Sequence, residues 1–71
     1  MEAELMNIPN IEEILRYIQA QGRSVEFDEL LFHFEARTNN DIHHIRTKVC
    51  RLVKQRFIIK TGPNSWRAAA I

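Results

Sequence analysis

Apolar residues recur at helical spacing three times along this chain, and beyond Arg56 the rhythm becomes that of a strand. Ile11, Ile14, Leu15 and Ile18 lie at i, i+3, i+4 and i+7, one buried stripe of an amphipathic helix. Asn10 stands where an N-cap belongs and Glu13 completes a capping-box pattern. Gly22 supplies the left-handed residue that ends the helix. A short extended piece around Ser24 and Val25 leads to a second helix, from about Phe27 to Ala36, with Phe27, Leu30, Leu31 and Phe34 turned inward. Thr38-Asn39-Asn40 is a turn that offers the next N-cap. The third helix is predicted from about Asp41 to Gln55, burying Ile42, Ile45, Val49, Leu52 and Val53. Phe57-Ile58-Ile59-Lys60 is a β-branched and aromatic run, Thr61 to Ser65 is dense in turn residues, and Trp66-Arg67-Ala68-Ala69 resumes the strand. That order predicts a hairpin with a loop of about four or five residues.

Seventy-one residues allow one domain, here 10–71, behind a short tail, 1–9, closed by Pro9. A chain of this length hides only about 60% of the surface its unfolded form exposes, so its core is small. The 45% hydrophobic content with two glycines and two prolines argues for a helix-rich globule. The single cysteine, Cys50, forms no internal disulfide and fits a reducing compartment. No apolar run approaches the roughly 20 residues of a membrane span, and the start MEAELMN is no signal peptide. The expected location is the cytoplasm, in association with a nucleoid, or the nucleus, without membrane contact.

Charge is sorted along the chain. Residues 1–35 carry eight carboxylates (Glu2, Glu4, Glu12, Glu13, Glu26, Asp28, Glu29, Glu35) against Arg16 and Arg23, whereas residues 36–71 carry eight cations against Asp41 alone. A net +1 thus conceals halves of −6 and +7. Such polarity is what a polyanion-binding surface requires.

The order helix, short strand, helix, turn, helix, hairpin resembles the winged helix-turn-helix superfamily of DNA-binding domains. The most telling segment is IRTKVCRLVKQRFIIKTGPNSW, from Ile45 to Trp66. It is similar to the third-helix-plus-wing stretch of many winged regulators: an apolar pair at Val49 and Leu52, a basic helix end, an apolar strand, a turn with glycine, and a Trp opening the last strand. The resemblance implies an α+β fold, a three-helix bundle with a C-terminal two- or three-stranded β-hairpin wing. Winged helices also serve as protein-docking modules. Winged domains that recognise left-handed nucleic acid use an Asn and a Tyr on the third helix with a wing Pro and Trp. Pro63 and Trp66 resemble the wing part, but Arg46 and Cys50 occupy the other two positions, which removes the main support for that special reading.

Turning the third helix by about 100° per residue puts His43, His44, Thr47, Arg51, Lys54 and Gln55 opposite its apolar stripe, with Arg46 and Lys48 on either flank. Guanidinium, ammonium, hydroxyl and imidazole groups are what base edges and phosphates accept. Asn40, His43, His44 and Thr47 are therefore expected to meet bases, with Arg51 at the groove edge, while Arg46, Lys48 and Lys54 meet phosphates. The hairpin adds Lys60, Arg67 and the tip residue Asn64 as backbone contacts. Trp66, Phe57 and Cys50 are expected in or beside the core.

His33, His43, His44 and Cys50 lack metal-ligand spacing, since the adjacent histidines diverge by about 100° on a helix. No metal or cofactor is expected. There is no nucleophile beside a base and no phosphate-cradling glycine loop, so no enzyme is expected either. The acids of the first two helices repel DNA there, and can dock a protein partner. Leu5, Met6 and Ile8 are apolar groups suited to homodimerisation through helix 1 and the tail. The sequence thus reads as a double-stranded DNA-binding protein, a small transcriptional regulator or the DNA-binding domain of one. The alternative is a winged-helix protein-protein interaction module within a larger complex.

Overall fold

The computed structural model describes residues 9–69. The tail residues before Pro9, including Leu5, Met6 and Ile8, lie outside that range, as do Ala70 and Ile71. The first helix, α1 (Ile11–Gln21), starts as its sequence dictates. Asn10 Oδ1 accepts from the Glu13 amide at 2.9 Å, and Glu13 Oε1 accepts from the Asn10 amide at 3.0 Å. Gly22 closes it at φ 64°. Strand β1 is the pair Val25–Glu26, and α2 (Phe27–His33) follows at once.

The second helix is shorter than its apolar spacing predicts. Glu35 adopts φ 56°, its amide donates to Phe32 O at 3.2 Å, and the Ala36 amide donates to Leu31 O at 2.9 Å. These are the two reversed bonds of a Schellman ending, made here without glycine. Phe34 and Ala36 remain half-buried beyond the helix. After this turn, α3 (Asn39–Lys54) begins two residues earlier than expected, capped by Thr38 Oγ1, which accepts from the Asp41 amide at 3.1 Å. It ends by the same device. Arg56 sits at φ 67°, with Arg56 N–H to Val53 O and Phe57 N–H to Leu52 O, both at 3.0 Å.

The chain then forms β2 (Ile58–Gly62) and β3 (Ser65–Ala68). Their connection is the two residues Pro63 and Asn64, tighter than the predicted loop. The ladder runs further because an irregularity between Lys60 and Gly62 absorbs Thr61. Hydroxyls hold that bulge: Ser24 Oγ donates to Thr61 Oγ1 at 3.0 Å, and Thr61 Oγ1 donates to Ser65 Oγ at 3.1 Å. The sheet is antiparallel with order β1-β3-β2. A bond of 2.7 Å from the Phe27 amide to Asn64 O fastens the hairpin turn to the start of α2.

Three helices and this sheet make an α+β architecture around one core. Ile14, Ile18, Val25, Phe27, Leu30, Ile45, Val49, Leu52, Ile58 and Trp66 are buried, and no polar residue is buried among the described ones. Every element contributes, so the core ties α1, α2 and α3 to the inner face of the sheet. No described helix is long and apolar enough to cross a membrane. Trp66 packs edge-on to Phe27, ring centroids 6.0 Å apart, as a core residue should. Phe57 is not in the core: it is 50% exposed. Side chains alternate along a strand, so with Ile58 turned inward, Phe57 and Ile59 face out.

Candidate nucleic-acid interface

The side of α3 away from its buried stripe is open and polar. His43, Arg46, Thr47, Cys50, Arg51 and Lys54 line a groove of about 410 Å³ along it. Cys50 therefore lies in the groove, not beside the core, and is exposed. At 100° per residue it points about 140° away from Ile45, and no other described element covers that side. The Thr47 hydroxyl donates back to His43 O at 2.9 Å, so its hydrogen is spent within the helix. What Thr47 offers outward is its methyl group and oxygen lone pairs. His43 and His44 diverge as the helix geometry requires, ring centroids 6.2 Å apart and 69° between planes. His44 is half-buried outside the groove. Asn40 is exposed in the first turn, at the entrance to the same face.

Arg46 and Lys48 both flank the groove but are not equivalent. Arg46 leads Ile45 by about 100° around the helix, while Lys48 trails it by about 60°. Lys48 is half-buried and does not line the groove. Arg46 does, and its guanidinium lies over the Phe27 ring, Cζ to centroid 4.3 Å. It also lines a second groove of about 370 Å³ with Glu26, Phe27, Asp28, Pro63, Asn64 and Ser65. Arg46 thus stands where the α3 groove meets the hairpin turn, and Asn64 belongs to this second groove. Lys60 is exposed and opposite Trp66 across the ladder, on the helix-facing side of the sheet. Arg67 pairs with Ile59 and faces the opposite side. The structure therefore does not bring Arg67 together with α3. It shares the outer sheet face with Phe57 and Ile59.

Among the described residues, no carboxylate reaches an ion-pair distance from Arg46, Arg51, Lys54 or Lys60. The ion pair they contain is Arg23–Glu29, at 2.7 Å, between the α1–β1 connection and α2. There Arg23 grips both Glu29 oxygens, at 3.0 and 2.7 Å, and the Tyr17 hydroxyl donates to Glu29 Oε2 at 2.7 Å. Arg23 first and Tyr17 second hold the Glu29 carboxyl down at about 2, and accepting that bond from Tyr17 in turn pushes the phenol up. His33, which the sequence left without a role, stacks on Tyr17 at 4.1 Å. The α3 groove is lined by Arg46, Arg51 and Lys54 without a carboxylate, whereas Glu26 and Asp28 share the second groove with Arg46. No group of three or more His, Cys, Asp or Glu that could hold a metal ion occurs among the described residues.

Two parts of the interface were absent from the sequence reading, Cys50 in the groove and Phe27 beneath Arg46. Helical phase signals the first, since Cys50 lies well off the apolar stripe. Nothing local signals the second, which depends on how α2 packs against α3. Comparison with protein-family models, curated proteins and solved structures returns no match.

Proposed function

We propose that this chain is a winged helix-turn-helix domain that binds double-stranded DNA, a small transcriptional regulator or the DNA-binding part of one, working in the cytoplasm or nucleus. α3 enters the major groove, and the β2–β3 hairpin is the wing that meets the neighbouring backbone. The observation that carries this reading is the groove on α3. It is rimmed by Arg46, Arg51 and Lys54 and has no carboxylate in its lining. In this arrangement Asn40 and His43 stand in the N-terminal half of the helix, the part that sits deepest in a major groove, with Thr47 at its middle. Arg46, Arg51, Lys54 and Lys60 supply phosphate contacts. Four such contacts give a log-affinity against log-salt slope of about −3 to −4. Titration of a random-sequence duplex at several salt concentrations measures it. No binding at low salt, or binding indifferent to salt, refutes the proposal.

One observation favours a second reading, a protein-interaction module. Phe32 on α2 is 87% exposed, beside a broad groove that also holds Asp28, Glu29 and Glu35. An aromatic ring among carboxylates suits a basic partner carrying an apolar side chain. A stoichiometric protein partner lost on Phe32→Ser, in a protein that binds no duplex, would replace the first reading with this one.

A further inference from the structure

We propose that Phe27 is a positioning residue for nucleic-acid binding, its ring holding Arg46 in the orientation that joins the α3 groove to the hairpin turn. The inference rests on the DNA-binding reading above and names the device that makes helix and wing a single surface. Phe27 is 5% exposed and fixed on three sides. Its ring meets Trp66 edge-on at 6.0 Å, its amide donates to Asn64 O at 2.7 Å, and its open face carries the Arg46 guanidinium at 4.3 Å. The ring is therefore a rigid shelf shared by α2, the sheet and the hairpin.

Arginine is a long side chain with much rotational freedom to lose on binding. A cation already stacked on an aromatic face has lost part of that freedom beforehand, and its N–H edge still points outward for a phosphate or a guanine. The surroundings give the shelf a second purpose. Glu26 and Asp28 line the same groove as Arg46, yet neither lies within ion-pair distance of it. Stacking keeps the guanidinium away from those carboxylates. Without the ring, Arg46 is drawn toward them and its charge is neutralised before a nucleic acid arrives. Phe27 thus acts through Arg46 and need not touch DNA itself.

A double-mutant cycle tests this, read as the affinity of a short random-sequence duplex. Phe27→Leu keeps an apolar side chain in the core but removes the ring, and binding weakens about two- to fivefold. Arg46→Gln weakens binding further and flattens the salt slope by about one. The double variant binds no more weakly than Arg46→Gln alone, and Phe27→Tyr retains wild-type affinity. If Phe27→Leu costs the same in the Arg46→Gln background as in the wild type, the proposal is overturned. Because Phe27 is a core residue, a measurement on the unaltered protein accompanies the cycle. In the DNA-free state, the Arg46 side-chain protons shift upfield under the ring current, and shifts at ordinary arginine values overturn the proposal whatever the variants do. A wild type that binds no duplex removes the reading beneath and this inference with it. A wild type that binds with no coupling between the two positions removes the inference alone.

Discussion

Gly22, Glu35 and Arg56 occupy the same left-handed backbone conformation, at φ 64°, 56° and 67°, at the ends of the three helices. A side chain in that conformation costs about 1–2 kcal/mol. Glycine avoids this cost but loses more freedom on folding, which returns about 0.5–1 kcal/mol to the unfolded state. The net expectation is about 0.5–1 kcal/mol in favour of glycine at each site. Gly22→Ala measures the conformational cost cleanly, because a Cβ built at Gly22 meets nothing within 4 Å. It should lower stability by that amount. Glu35→Gly and Arg56→Gly should raise it, since both residues are exposed and their αL backbones already make the Schellman bonds. For a domain of this size each change moves the melting temperature by about 2–8 °C, read by circular dichroism and checked by urea unfolding. Were both glycine variants to melt below wild type while Gly22→Ala melts at or above it, the assignment of strain to these turns would be wrong.

Two further outcomes follow from the charges. Glu29 has its folded pKa depressed to about 2 by Arg23 and Tyr17, against an ordinary value of 4.5. Its contribution is therefore present above about pH 4.5 and is lost as pH falls toward about 2. The stability gap between wild type and Glu29→Gln, about 0.5–1 kcal/mol for so exposed a pair, should close across that window in acid titrations followed by tryptophan fluorescence. A gap that widens on acidification contradicts the network. On α3, Lys54→Ala should flatten the salt dependence of duplex binding by about 0.9, while Lys48→Ala leaves the slope unchanged. Equal effects would mean that the flank of α3 bearing Lys48 also meets the backbone.

Much of the fold is legible in the sequence because local chemistry decides it. The capping box at Asn10 and Glu13, the glycine at position 22 and the stripes of α1 and α3 are all short-range signals, and each appears where its pattern puts it. The end of α2 was not legible: Glu35 takes a glycine's conformation there, as Arg56 does after α3, and no residue-type rule announces that. The hairpin loop came out shorter than its turn residues suggested because a bulge at Thr61 is a property of the pair of strands and not of either one. The groove on α3 was largely readable from helical phase. Its exceptions have tertiary causes. Lys48 and His44 are half-covered by neighbouring structure, Arg67 follows Trp66 and so is turned to the other sheet face, and the Arg46–Phe27 stack exists only once α2 and α3 have met.

The irregularity between Lys60 and Gly62 has a meaning beyond the shape of the hairpin. β2 is the longer of the two outermost strands, and an unpaired strand border is a template on which a stray chain can zip up. Here that border is kinked midway by Thr61 and carries an ammonium group beside the kink, so the flat run of hydrogen-bonding groups that cross-chain pairing needs is interrupted. A domain with Phe57 and Ile59 showing on its outer sheet face thereby discourages fibre-like stacking without covering either side chain.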